Sequence, residues 1–312
     1  MIAKLKNSMV KMNSGFVCLI VTILIWAFYF VALRTGAQSQ LTSYDMALLR
    51  FMLPALLLLP VLVKARCKIM AVKKRYLLGI AAGAGLPFYL LSVIASSEVQ
   101  AVVGSLLIPG VAPVFVTMIA VLCYSQRLHK SRIIGLSVVL AGVAVLLQSE
   151  LSSNTEQLIV GPLLYLLAAA CWAVYTISVK VSGLSGIEVA TVLNVTAAVV
   201  LLLGLPTPIF TSNLASVPLE HIAGQLLIMG IFCGLISVIT YGHAIQSLGA
   251  ELSACWGAIT PVLVSVLAFF LLSEQLDINT VFAMLAIFIG VVYANSNVSS
   301  SPVVNRSNVA LK

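Results

Sequence analysis

The 312-residue chain has little charge: 9 Asp or Glu and 17 Lys or Arg, together 8% of the residues. Soluble chains carry about 25%. Hydrophobic residues make up 61%. No soluble fold of this length hides that much apolar surface, because surface-to-volume scaling leaves a large wet exterior. The scarcity excludes a soluble enzyme, a nucleic-acid-binding domain and a disordered chain, and points to lipid as the solvent. Paired cysteine motifs are missing too. Cys18, Cys67, Cys123, Cys171, Cys233 and Cys255 form no C-x-x-C. Five of the six lie in apolar runs, where inert buried thiols are expected rather than disulfides or a metal site. There is no G-x-x-x-x-G-K-[ST] and no H-E-x-x-H, so neither a phosphate-cradling loop nor a zinc site is written here. No acid lies deep in an apolar run: Glu98, Glu251 and Glu274 fall at run ends. A mid-membrane carboxylate for proton coupling is therefore not expected, nor is any cofactor or metal.

What is present is a series of apolar runs. A spanning helix needs about 20 mostly apolar residues. Ten runs qualify, at 15–34, 44–63, 77–96, 99–123, 132–148, 158–180, 187–205, 222–246, 249–273 and 278–296. The first follows Lys4, Lys6 and Lys11, as a signal peptide does, but it is too long and ends in Arg34 without a small-residue cleavage site. It reads as a retained helix after a cytoplasmic segment, 1–14. Connections are short. The longest, 206–221, contains Pro206, Pro208 and Pro218, and the Ser/Asn/Val-rich stretch 297–312 reads as a disordered cytoplasmic tail.

Basic residues set the orientation. With the N-terminus cytoplasmic, the inner side holds Lys4, Lys6, Lys11, Lys64, Arg66, Lys68, Lys73, Lys74, Arg75, Arg127, Lys130, Arg132, Lys180, Arg306 and Lys312. Only Arg34 and Arg50 fall toward the outside. The even number of spans then places the C-terminus inside as well.

An internal repeat organises the runs. Trp26-Ala27-Phe28-Tyr29-Phe30-Val31-Ala32-Leu33-Arg34 in the first matches Trp172-Ala173-Val174-Tyr175-Thr176-Ile177-Ser178-Val179-Lys180 in the sixth, at an offset of 146. Pro60 matches Pro206 at the same offset. At an offset of 148, Pro113 matches Pro261, Ser125 matches Ser273, Leu128 matches Leu276 and Gly142 matches Gly290. The unit is five spans, 15–148 and 158–296. An odd unit enters the membrane in opposite directions, giving the inverted repeat of secondary transporters, in which two similar halves exchange conformations around a central site.

With these residues in view, the chain resembles the EamA-type permeases of the drug/metabolite transporter superfamily. The resemblance rests on the two Trp-to-basic stretches, Leu49-Arg50-Phe51, a proline within the fourth and ninth spans, and Ser273-Glu274-Gln275-Leu276. It covers about 15–296. The chain departs from that pattern at Gln126-Arg127, where the second half has Glu274-Gln275, and at the doubled Pro109 and Pro113. The resemblance implies an all-α integral membrane protein of ten transmembrane helices, a 5+5 inverted repeat, in a bacterial inner membrane. It also implies efflux or exchange of small metabolites, often amino acids. Uptake of an anionic metabolite, or a non-transporting scaffold, are the alternatives. The expected partners are a small-molecule substrate and the lipid bilayer, with no nucleic acid, the chain acting as monomer or homodimer.

Candidate site residues follow from placement. Trp26 and Trp172 are equivalent, and lie inside or at the lipid face. Tyr29, Phe30 and Tyr175 share their helical faces. Trp256 adds a third indole in the ninth span. Arg50, about five residues into the second span, either pairs with Asp45 or a substrate carboxylate, or snorkels to the interface. Arg34 and Lys180 are expected at headgroups. Tyr241 and His243 in the eighth span face Tyr89 and Ser92 in the third, after the interruption Gly83-Ala84-Gly85-Leu86-Pro87. An intramembrane histidine is a functional candidate by default, with packing as the bland reading. Pro109, Pro113 and Pro261 break backbone hydrogen bonding and are candidate gating points, since freed carbonyls need a cavity or water. The expected cavity is lined by spans one, three, four, six, eight and nine. Gly79-x-x-x-Gly83, Gly135 and Gly142 offer close helix contact.

Overall fold

A computed structural model of the chain describes residues 2–126, 128–153, 160–204 and 211–296. Pro206, Pro208, Arg127, Arg306, Lys312 and the 297–312 stretch lie outside the described residues. Ten helices are long and apolar enough to cross a membrane: α1 Met12–Ala37, α2 Ser43–Met70, α3 Lys74–Glu98, α4 Ala101–Tyr124, α5 Lys130–Ser149, α6 Val160–Ser182, α7 Gly186–Gly204, α8 Leu219–Leu248, α9 Ala250–Leu272 and α10 Ile278–Asn295. Among the described residues there is no strand. Helix α2 continues seven residues past its expected end, through Lys64, Arg66 and Lys68, to Met70. Charge ends the apolar run but not the helix, because Lys and Arg are good helix formers.

The inverted repeat is visible in the packing. Helix α1 packs on α8 and α9, and its counterpart α6 packs on α3 and α4. The self-equivalent pairs α2/α7 and α5/α10 close the bundle. In the α5/α10 pair, Gly135 and Gly290 let backbone meet backbone, and a Cβ on either would collide with the other helix. Ser125 (φ 51°) and Ser273 (φ 55°) close α4 and α9 at matched positions, and among the described residues no other non-glycine residue has positive φ. Arg34, in the last turn of α1, marks one end of the bundle, and Lys180, near the end of α6, marks the other.

Four helices near the centre are irregular. Helix α3 is divided into Lys74–Gly83 and Leu86–Glu98, α4 into Ala101–Leu107 and Ala112–Tyr124, and α9 into Ala250–Gly257 and Thr260–Leu272. Pro87, Pro113 and Pro261 stand in the first turn of the second piece, where the missing N–H is an orphan anyway. They start a helix rather than kink one from within. Pro109 lies in the α4 break itself. In α8, Leu226–Ile236 winds as a π-helix, at the position equivalent to the α3 break. π-turns leave carbonyls short of partners and gather at functional sites. Here Asn194 Nδ2 on α7 donates to Gly234 O at 2.9 Å and to Ala190 O at 2.8 Å. The glycines of this stretch also let α8 approach α2: a Cβ at Gly234 would meet Arg50 O at 2.6 Å.

Helix α2 begins in a capping box. Thr42 Oγ1 accepts from Asp45 N, and the Asp45 carboxylate accepts from Thr42 N. Asp45 is fully buried, because Ser212 Oγ and Asn213 N also donate to it, at 2.5 and 2.9 Å. The start of α2 is thus folded under the segment before α8. The bundle's outside carries large apolar side chains such as Leu57, Val63, Leu203 and Phe270, a surface suited to lipid and not to water.

Candidate functional site

A cavity of about 30 Å³ lies at the centre of the bundle, between α1, α2, α3, α4, α6 and α8. That is room for one or two waters. Helix α1 supplies Trp26, Tyr29 and Phe30, α2 supplies Arg50, and α3 supplies Ala84 and Phe88. Ile108 and Pro109 come from the α4 break, Trp172 from α6, and Cys233, Ser237, Val238 and Tyr241 from α8. The irregular stretches of α3, α4 and α8 all reach this wall. Two expectations about the lining change. Helix α2 enters it through Arg50, and α9 contributes no lining residue.

The two equivalent tryptophans meet across the centre. Their centroids are 5.2 Å apart and their planes at 83°, edge to face. Tyr241 lies 4.8 Å from Trp26 and 5.4 Å from Trp172, and Phe88 lies 5.2 Å from Trp172. Tyr175 backs Trp172 at 5.0 Å and stacks on Tyr241 at 6.3 Å, behind the wall. The inverted repeat explains the meeting: positions 146 apart are brought to opposite sides of one pseudo-two-fold axis.

Arg50 is the charged group of this wall. It is 4% exposed. Its guanidinium lies over three rings, 5.2 Å from the centroid of Tyr29, 5.0 Å from Tyr89 and 5.4 Å from Phe51. Nε and Nη1 have no hydrogen-bond acceptor among the described residues. The sequence readings of snorkelling and of an Asp45 pair both give way. Capping consumes Asp45, and the buried capped start carries Arg50 inward instead of to an interface.

The remaining candidates sit elsewhere. Tyr89 supports Arg50 from behind, and its hydroxyl donates to Met46 O at 3.3 Å. Ser92 donates to Phe88 O at 2.9 Å, holding the turn beneath Phe88. His243 is at the Lys180 end, where Nε2 meets Ser14 Oγ at 3.0 Å and Ser247 Oγ at 3.3 Å, tying α8 to the start of α1. Trp256 is 39% exposed and touches Phe16 edge-on at 5.7 Å, off the cavity. Pro113 and Pro261 begin helices beside the breaks without lining the wall.

Arg34 and Lys180 do not reach for headgroups. Arg34 Nη1 donates to Ser96 O at 2.6 Å and Ser97 O at 3.0 Å, the last carbonyls of α3. Lys180 Nζ donates to Ile245 O at 3.2 Å and Gln246 O at 3.3 Å, the matching carbonyls of α8. The repeat therefore places an equivalent cationic latch at each end of the bundle, each on orphan carbonyls that favour a cation. Beyond that the ends differ. At the Arg34 end, Glu274 accepts from Ala101 N at 3.1 Å and lies 3.7 Å from Arg34 Nε. Burial pushes the Glu274 carboxyl up despite the Ala101 N–H and Arg34; at 3.7 Å the ion pair is looser than the bonds from Arg34 to the α3 carbonyls. At the Lys180 end Gln126 stands at the matching position, and a separate buried pair joins Arg132 Nη1 to Glu251 Oε2 at 2.9 Å. The latches were not foreseen, since backbone carbonyls leave no trace in a sequence.

Among the described residues no group of three His, Cys, Asp or Glu converges as a metal site. A family sequence profile described as the EamA-like transporter family matches residues 13–148 and 159–296. A relative from Clostridium kluyveri, described as an uncharacterized transporter, is 28% identical over 296 residues, covering 89% of this chain and 92% of its own. One solved crystal structure superposes with a TM-score of 0.64 at 16% identity, over 91% of this chain and 96% of its own, a likeness of fold.

Proposed function

Because the chain belongs to the EamA-like transporter family, we propose that this multi-pass membrane transporter exports or exchanges small amphipathic metabolites by alternating access around the central cavity. The observation that carries the reading is the meeting of Trp26 and Trp172, one from each inverted half, on a cavity too small for a metabolite. A nearly closed centre between two equivalent halves suits a protein that opens to one side at a time. The latches support this: each end has its own set of bonds to release. A scaffold has no need of such duplication, nor of a buried, unpaired arginine.

Orientation follows the basic residues. Lys64, Arg66, Lys68, Lys73, Lys74, Arg75, Lys130 and Arg132 gather at the Lys180 end, which we place in the cytoplasm of a bacterium, the protein lying in the inner membrane. Amino acids and related compounds are the first substrates to test. Arg50 favours a second reading as well, movement of an anionic metabolite.

The test is counterflow in reconstituted liposomes. Preloaded unlabelled amino or carboxylic acids are expected to drive uptake of the labelled compound several-fold above protein-free vesicles. Vesicles that move no member of a broad panel of amino acids, carboxylates and amines sink the proposal.

A further inference from the structure

The cavity wall has one cation and no anion. Arg50 is buried, two of its nitrogens, Nε and Nη1, meet no acceptor, and it has no ion-pair partner: the ion pairs among the described residues are Arg34–Glu274, Lys68–Glu188 and Arg132–Glu251. Asp45, the nearest carboxylate along α2, is saturated by its caps. A buried charge without a partner is costly, and natural proteins keep one where a ligand completes it. The rings of Tyr29, Tyr89 and Phe51 engage the guanidinium through cation–π contacts. A guanidinium offers its N–H edge in the fork geometry that suits a carboxylate.

From this we infer that the cavity selects organic monocarboxylates with an apolar or aromatic body and rejects the same body bearing an ammonium group. The inference rests on the transport reading and narrows it to its anionic form, placing zwitterionic amino acids behind carboxylates. The carboxylate meets the Arg50 fork. The body lies among Phe88, Trp26, Trp172 and Tyr241. A ligand ammonium meets no countercharge: the hydroxyls of Tyr29 and Tyr241, which meet no partner among the described residues, are neutral and serve a carboxylate as donors. No carboxylate lines the wall, and Ser237 Oγ already donates to Cys233 O at 2.7 Å. The indole and phenol faces are occupied by one another at 4.8–5.4 Å, so they form no open aromatic cage for a cation. The ammonium also shares a small, buried space with the Arg50 charge, where like charges repel strongly. A zwitterionic amino acid thus gains one contact and is penalised by the other. A 2-oxo acid, an aryl-alkanoate or an N-acyl amino acid gains the contact without the penalty.

Three probes with one body separate these terms: 3-phenylpropanoate, phenylalanine and phenethylamine. Each is titrated into the purified full-length protein in detergent at pH 7, with tryptophan fluorescence as the readout, since Trp26 and Trp172 line the wall. 3-Phenylpropanoate is expected to bind at least about tenfold tighter than phenylalanine, the scale of a charged hydrogen bond, with phenethylamine weakest. Arg50→Gln is expected to lose that margin for 3-phenylpropanoate and to raise phenethylamine affinity, because the repelling charge is gone. Phenylalanine binding as tightly as 3-phenylpropanoate, no saturable response to any probe, or Arg50→Gln retaining the margin overturns the inference. The wild-type comparison needs no variant to fold. Counterflow with the same three compounds separates the two claims. Equal movement of phenylalanine and 3-phenylpropanoate leaves transport standing and removes the selectivity; ordered binding without any counterflow does the reverse.

Discussion

Trp172→Ala is expected to lower counterflow by at least about tenfold, while Trp256→Ala leaves it within about twofold. Trp172 touches four rings, those of Trp26, Phe88, Tyr175 and Tyr241, all within 5.4 Å. An aromatic pair contributes about 0.5–1.5 kcal/mol beyond its area, and truncating a core Trp costs about 3–5 kcal/mol. A loss near the low end, spread over binding and conformational exchange, already exceeds the 1.4 kcal/mol that makes a factor of ten. Trp256 keeps one aromatic neighbour, Phe16, and is exposed off the cavity. Trp26→Ala is expected to resemble Trp172→Ala, as its equivalent on the opposite side of the axis. Counterflow rates normalised to the amount of folded protein check this. Equal losses for Trp172 and Trp256 contradict the assignment of the wall.

Glu251→Ala is expected to destabilise the protein by about 3–5 kcal/mol, the usual cost of stranding a buried charge. Arg132 and Glu251 side chains are each 5% exposed, and the guanidinium is held by Thr117 Oγ1 at 2.7 and 3.0 Å as well as by the carboxylate. Without the acid, Arg132 keeps the hydroxyl but loses its countercharge. The double variant Arg132→Met with Glu251→Leu is expected to recover most of the loss, because removing both charges also removes both desolvation penalties. Thermal unfolding in detergent reads both. A double variant no more stable than Glu251→Ala shows that the pair does more than balance charge. This pair also sets Arg50 in relief: one buried arginine is matched by an acid from another helix, the other is not.

Much of the fold was legible because lipid demands simple things of a sequence. Spans must be about 20 apolar residues long, and the ten runs stand out for that reason. The Trp26/Trp172 and Ser125/Ser273 matches were legible because the repeat keeps them. The rotational setting of each helix was not. With lipid outside and apolar packing inside, hydropathy does not distinguish the two faces, so Trp256 read as a third cavity indole and α2 as a helix off the cavity. Arg50 was misplaced in depth because its neighbour Asp45 is held by Ser212 and Asn213, contacts across 167 and 168 positions that no local pattern records. His243 read as a pocket candidate toward the cytoplasmic end of the eighth span; it does sit near that end, but Ser14 and Ser247 occupy its ring there, off the cavity. The helix breaks were partly legible. Prolines marked α3, α4 and α9, but nothing in Leu226–Ile236 except its glycines announces a π-helix.

Cys233 offers the most direct test of alternating access. It is buried, it lines the cavity, and none of the six cysteines is held in a disulfide. In a protein retaining only Cys233, a membrane-impermeant anionic methanethiosulfonate is added to right-side-out and to inside-out vesicles in separate experiments. Alternating access requires labelling from both sides, each slowed when a bound substrate holds the protein closed. Labelling from one side only, at any substrate concentration, contradicts it.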